Sequence, residues 1–239
     1  MRTLVLVGSG EFTQSMVKTD RYLIGQVRKT KIKVAVIPTA SVPDGRQKKW
    51  IEDGIKHFKK LGTNPIGINI VSRKDANKST SLDKLKTVSI IYFSGGHPGY
   101  LFKTFQDTYS WELIESLYKN GRILVGSSAG AMILGSYLLA NAQEVFDKGE
   151  KPKWGKGFNL FPYSIFPHFD WVQKNKPELF KKVLDSAPKA VKERWIGIDE
   201  DTSFVVFDGK NVKLLGKETV YICKKGKMSK YVTGKEFII

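Results

Sequence analysis

Cysteine is almost missing from this sequence: Cys223 stands alone among 239 residues. That excludes an intrachain disulfide and a cysteine-based zinc site. Cys223 lies in the apolar segment Val220-Tyr221-Ile222-Cys223, which reads as a place for a buried structural thiol. Histidine is nearly as scarce, so any imidazole chemistry has only His57, His97 and His168 to draw on. Long apolar runs are missing too, and none approaches the roughly 20 residues of a membrane span. The run Leu4-Val5-Leu6-Val7 near the N-terminus is too short for a signal-peptide core and has no cleavage pattern after it. It reads as a first core strand, with a cytoplasmic location and no membrane partner expected.

Acidic residues are outnumbered, 23 against 40 Lys and Arg, which leaves a net charge of +17. Such an excess raises nucleic acid as a partner. The lysines are spread along the whole chain, however, in no block of five or more, and neither an RNA-binding aromatic motif nor a zinc-finger spacing occurs. The excess therefore reads as a solvated basic surface, with attraction of acidic substrates as the second reading. No nucleic-acid partner is expected.

What the sequence does contain is an alternation of short apolar runs with helical patterns. Leu4 to Val7, Lys33 to Pro38, Ile66 to Val71, Ser89 to Phe93 and Arg122 to Val125 read as five strands rich in Val and Ile. Trp50, Ile51, Ile55, Phe58 and Leu61 recur at helical spacing, predicting an amphipathic helix over residues 44–61 with His57 on its solvent face. Ser81 to Leu85 reads as a short helix capped by Ser79 or Ser81, and a long helical region is expected up to Asn120. From Ser203 onward the pattern changes to short β segments, Phe204 to Phe207, Val212 to Leu215, Thr219 to Cys223 and Lys230 to Val232. Asp208-Gly209 supplies a hairpin signal between the first two. The predicted fold is α/β: a three-layer αβα arrangement with a mostly parallel central sheet, a nucleophile elbow at a strand end, and C-terminal β segments packed on the sheet edge. One domain spanning residues 1–239 is expected. In such sheets the site lies at the carboxyl ends of the strands.

The chemistry centres on Gly126-Ser127-Ser128-Ala129-Gly130. This Gly-x-Ser-x-Gly stretch follows the run Ile123-Leu124-Val125 and opens Ala131-Met132-Ile133-Leu134, so it falls at a strand–turn–helix junction that exposes Ser128 as a nucleophile. Ser128 then needs a base, an orienting acid and an oxyanion hole. His57 lies among lysines, whereas His97 follows Gly95-Gly96 at a strand end and His168 lies in Phe166-Pro167-His168-Phe169-Asp170. Elimination and the proline-fixed backbone favour His168 as the base over His97. For the acid, Asp170, Asp199, Glu200 and Asp147 are all open. The N–H of Ala129, at a helix start whose positive end faces the site, and the Gly95-Gly96 turn supply candidate oxyanion donors, with Gly96 and Ala129 preferred. Gly95, His97 and Ser127 are candidate substrate contacts.

Taken together, Gly8-Ser9-Gly10-Glu11, Phe93-Ser94-Gly95-Gly96, Gly126 to Ala131, Gly157 to Pro162, Pro167-His168-Phe169 and Gly197-Ile198-Asp199-Glu200 resemble the serine peptidase family of dipeptidase E (aspartyl dipeptidase) and cyanophycinase. The resemblance covers most of the chain. It implies a fold like the class I glutamine amidotransferases, with serine in place of their cysteine, which disfavours a glutaminase. It also implies Ser128 as nucleophile and His168 as base. Glu200 matches the acid of the cyanophycinase branch. The dipeptidase branch carries an aspartate downstream of the serine where this chain has Gln143, with Glu144 beside it. After the glycine pair, relatives carry Asn-Thr or Asp-Gln, whereas this chain has His97-Pro98-Gly99. The implied activity is serine-type hydrolysis of a small, aspartyl-containing peptide, with β-aspartyl-arginine bonds or an inactive small-ligand-binding relative as alternatives. No metal or cofactor is implied, and a homodimer is the assembly the resemblance suggests.

Overall fold

The computed structural model describes residues 1–239. Five strands, β1 (Thr3–Val7), β2 (Lys33–Ile37), β3 (Asn64–Gly67), β4 (Ile90–Phe93) and β5 (Ile123–Ser127), run parallel in the order β1-β5-β4-β2-β3. The crossovers carry α1 (Val17–Gly25), α2 (Gln47–Lys60), α3 (Arg73–Ala76), α4 (Ser79–Lys86), α5 (Pro98–Phe105) and α6 (Tyr109–Lys119). Successive side chains of a strand point to opposite faces, and here both faces are covered. Val5, Val7, Val34, Val36, Ile90, Tyr92 and Val125 pack with Met16, Leu23 and Phe58 on one side. Their neighbours Leu4, Leu6, Ala35, Ile37, Ile91, Phe93 and Leu124 enter the larger core on the other. Continuous apolar strands are what such a three-layer α/β arrangement requires.

Beyond β5 come α7 (Ala129–Leu134) and the hairpin of β6 (Tyr137–Leu139) with β7 (Trp154–Lys156), which encloses α8 (Ala142–Lys148). Then follow β8 (Ser164–Phe166), α9 (Phe169–Asn175), α10 (Pro177–Asp185), α11 (Lys189–Glu193) and β9 (Arg194–Ile198). The C-terminal segments are β10 (Thr202–Phe207), β11 (Asn211–Gly216), β12 (Thr219–Lys224), β13 (Lys227–Val232) and β14 (Glu236–Ile238). They divide between two sheets. β10, β11 and β14 extend the main sheet antiparallel beyond β1, whereas β12 and β13 join β9 and β8 in a second sheet of order β13-β12-β9-β8. The expectation of a tail on the sheet edge thus holds for half of it. A hairpin signal specifies a turn but not which sheet receives the strands.

Four local expectations are corrected. The third strand ends at Gly67, because Ile70 leaves the ladder to receive the Thr39 hydroxyl on its carbonyl at 2.6 Å while staying fully buried. The long helix before Asn120 is two helices, broken at Asp107 (φ +52°) and restarted by Thr108, whose hydroxyl caps α6. No serine caps α4: Lys78 holds the N-cap position, and Ser79 and Ser81 lie inside the helix. His57 is not a surface residue. It is buried on the inner face of α2, with Nε2 2.7 Å from the carboxylate of Asp20.

Candidate active site

Ser128 sits between β5 and α7 with φ +51° and ψ −115°, a conformation outside the ordinary regions for a side-chain-bearing residue. The glycines around it explain how the turn is built. A Cβ on Gly126 would lie 2.3 Å from the Gly130 carbonyl oxygen, and one on Gly130 would lie 2.6 Å from the Phe93 carbonyl oxygen. The strand and helix therefore approach more closely than any larger residue permits. The Ser128 N–H is anchored on the Val7 carbonyl at 3.0 Å, which ties the elbow to the end of β1.

Ser128 Oγ lies 2.9 Å from His168 Nε2, and His168 Nδ1 lies 2.6 Å from Glu200 Oε1. An ionised Glu200 can only accept, so Nδ1 carries the proton and Nε2 is left to accept from the serine hydroxyl. This order of hydroxyl, imidazole and carboxylate is the arrangement that activates a serine. Its members come from different sheets. Ser128 ends β5 of the main sheet, whereas His168 follows β8 and Glu200 follows β9 of the second sheet. The two meet at Gly8, whose carbonyl accepts the His168 N–H at 3.3 Å while its own N–H donates to the Thr202 carbonyl at 2.9 Å within the main sheet. A Cβ on Gly8 would meet the Asp199 carbonyl oxygen at 2.0 Å, so only glycine fits this junction. His168 itself adopts the left-handed conformation (φ +51°, ψ +37°) as it caps α9.

None of the other acids considered for the histidine contacts it. Asp170 Oδ1 accepts the Glu200 N–H at 3.0 Å and so steadies the backbone of that residue. Asp199 is buried, its Oδ2 accepting the Thr219 N–H at 3.2 Å while Oδ1 has no partner. Burial first, and then the neighbouring Asp170, push its carboxyl up to about 6. Glu144 lies 3.8 Å from His97 Nδ1, and Asp147 lines the cleft wall.

Gly95 and Gly96 reach the same place from β4. A Cβ on Gly95 would lie 3.1 Å from Ser128 Cβ, and Gly96 has φ +134°, a backbone that only glycine adopts freely. Ala129 is the first residue of α7, where an N–H has no intrahelical acceptor. Two of the candidate substrate contacts are placed differently from expectation. Ser127 is fully buried, with its hydroxyl on a carboxylate rather than toward the cleft. His97 is not on the cleft wall; its Nε2 lies 3.0 Å from Asp44 Oδ1, and Asp44 is the residue that faces the cleft.

The carboxylate that holds Ser127 belongs to Glu11, which sequence reasoning left out of the site. Glu11 is buried in the turn that follows β1; Oε1 accepts the Gly95 N–H and Oε2 accepts the Ser127 hydroxyl, both at 2.7 Å. One charged side chain thus ties the glycine turn to the serine elbow through charge-assisted hydrogen bonds. The available signal was an acid directly after Gly8-Ser9-Gly10, at the C-terminal end of a core strand. The cleft above these groups has a volume of about 560 Å³, with Trp50, Phe146, Trp171 and Phe180 among its walls and Arg46 as its single Lys or Arg. No helix is long and apolar enough to cross a membrane.

A profile described as Peptidase family S51 matches residues 4–215. The chain is 27% identical over 205 residues to a cyanophycinase of Geminocystis herdmanii, covering 82% of this chain and 71% of that protein. It is 26% identical over 156 residues to an uncharacterized peptidase of Pasteurella multocida, covering 64% and 72%. Among solved structures, a peptidase from an acI-B1 Actinobacterium superposes with a TM-score of 0.86 at 28% identity, over 100% of this chain and 97% of that one. A peptidase E candidate from Listeria monocytogenes shares the fold, with a TM-score of 0.65 at 21% identity over 90% and 98%.

Proposed function

Because this chain belongs to peptidase family S51 and is a serine-type peptidase, we propose that it cleaves a peptide bond in a small, aspartyl-containing peptide through an acyl-enzyme. The observation that carries this reading is the unbroken chain of contacts from Ser128 through His168 to Glu200 at the wall of a cleft. In this reading Ser128 Oγ attacks the scissile carbonyl while His168 Nε2 takes its proton. Glu200 keeps the imidazole in the required tautomer and balances the positive charge it acquires. The tetrahedral oxyanion forms against the N–H groups of Gly96 and Ala129; one such donor is worth about 3–4 kcal/mol in a transition state. The imidazolium then gives its proton to the leaving amine. Water, deprotonated by the same histidine, releases the acid and regenerates Ser128.

Arg46 in the cleft is the natural partner for an aspartyl carboxylate. A second reading, cleavage of β-aspartyl-arginine bonds, is favoured by Asp44 and Asp147 on the cleft wall, which suit a guanidinium. The relatives named as cyanophycinases point the same way. A library of dipeptides with N-terminal Asp, β-Asp-Arg and neutral members separates the two. Labelling by a fluorophosphonate probe tests the mechanism beneath both. Wild type is expected to label and Ser128→Ala is not. No labelling of wild type would leave an inactive ligand-binding relative, and equal labelling of the variant would move the nucleophile elsewhere.

A further inference from the structure

A second groove of about 780 Å³ opens beside the catalytic cleft and shares Glu11, Thr13, Arg46 and Trp50 with it. Its walls carry Arg21 from α1, Arg46 at the N-terminal cap of α2, and Lys49, Lys56 and Lys60 along that helix. The positions 49, 53, 56 and 60 recur at helical spacing, so they form one stripe along a single face of α2. Against these five cations stand two carboxylates. Glu11 is buried and occupied by Gly95 and Ser127, and Asp53 is paired with Lys49 at 2.6 Å. Arg21, Arg46, Lys56 and Lys60 make no ion pair and are exposed. The neighbouring catalytic cleft has the opposite character: Asp44, Asp147 and Glu200 line it, with Arg46 at the common boundary. The site is therefore electrically polarised, acidic around the serine and basic beyond Trp50.

We propose that this groove is an extended subsite for a carboxylate-rich peptide chain, so that the enzyme prefers acidic oligopeptides to dipeptides. The inference rests on the peptidase reading of the adjoining cleft. The two cavities share Arg46 and Trp50, so a substrate whose scissile bond lies at Ser128 would pass these two residues to reach the basic stripe. From Lys49 to Lys60 the helix rises about 16 Å, the length of about five extended residues. Exposed charges spaced along such a path select a repeating acidic chain rather than one buried anion. The same charges attract an acidic substrate from a distance.

The test compares quenched fluorescent peptides that share one aspartyl cleavage site and continue as either three glutamates or three serines. Wild type is expected to show a lower KM for the glutamate series, with kcat little changed and the advantage shrinking between 50 and 300 mM salt on account of screening. Lys56→Glu with Lys60→Glu is expected to remove that advantage, a loss on the order of tenfold in kcat/KM for two exposed contacts. Dipeptide turnover is expected to stay unchanged. Equal KM values for the two series, or a preference that survives both reversals, would overturn the proposal. Binding of the labelled glutamate peptide to Ser128→Ala, read by fluorescence anisotropy, separates this outcome from failure of the peptidase reading. Salt-sensitive binding lost in the double reversal supports the groove even if no peptide is cut. A mixed single-stranded oligonucleotide that binds more tightly than the peptide at the same salt would instead assign the groove to nucleic acid and overturn the inference.

Discussion

Replacing Asp199 by asparagine should shift stability in favour of the variant as pH rises from 4 to 8. Asp199 is buried beside Glu200, one carboxylate oxygen has no partner, and its carboxyl is raised to about 6 from an ordinary 3.8. The raised value means that the folded state holds the proton more tightly than the unfolded chain does. Stability from this group is therefore fully present below the unfolded value and is lost as pH rises through the folded one. With these two values, ionisation costs little near pH 4 and on the order of 3 kcal/mol by pH 8. Asparagine keeps an oxygen for the Thr219 N–H but does not ionise, so it removes this pH-dependent cost. Any penalty for its buried amide is the same at every pH. Urea unfolding of both proteins at pH 4, 5, 6 and 8 gives the difference directly. The stability difference should move in favour of the variant by about 2–3 kcal/mol between pH 4 and pH 8. A difference that stays flat across that range would show that Asp199 ionises as easily folded as unfolded. A difference of opposite slope would mean that its charge is stabilised, and either result refutes the reasoning.

Glu200→Gln preserves an acceptor for His168 but not the charge. The pair is half exposed, and two charges about 4 Å apart are worth ~1 kcal/mol in water and ~4 kcal/mol at an effective dielectric of 20, so kcat should fall on the order of 5- to 1,000-fold. KM should change little, and a fall in kcat below about threefold would show that the negative charge of Glu200 contributes little to the chemical step. Glu11→Ala strands the Gly95 N–H and the buried Ser127 hydroxyl. Each is expected to cost about 1–3 kcal/mol in denaturant unfolding, and kcat should fall with stability. Glu11→Gln keeps one acceptor and should lose less, so equal losses in the two variants would argue against the clamp. Gly126→Ala places a Cβ 2.3 Å from the Gly130 carbonyl and should lower stability by at least about 1–3 kcal/mol. An unchanged melting temperature in calorimetry would mean that the elbow has slack.

Much of the molecule was legible along the chain because the information is local. Five Val- and Ile-rich runs separated by helical patterns specify a parallel sheet with two buried faces, and alternation along each run assigns residues to faces. Gly126, Gly130 and Gly96 mark sharp turns by what they lack. Segments whose partners lie far away in sequence were misread. His57 looked solvated among lysines until α1 brought Asp20 against it. His97 and Ser127 looked available until the turns directed them to Asp44 and Glu11.

The sequence by itself determined the strand–turn–helix around Ser128, because the strain at one serine and the absence of side chains beside it are properties of five consecutive residues. Only the tertiary structure decided which groups surround that serine. His168 and Glu200 belong to a second sheet whose strands β8 and β9 are 28 residues apart, from Phe166 to Arg194, and they meet Ser128 only because Gly8 lets the two sheets touch. Asp170, nearest to His168 in sequence among the acids considered, turns to the Glu200 backbone instead. Hydrogen bonds select partners by position and direction in space, and a linear spacing encodes neither once the chain has crossed from one sheet to another.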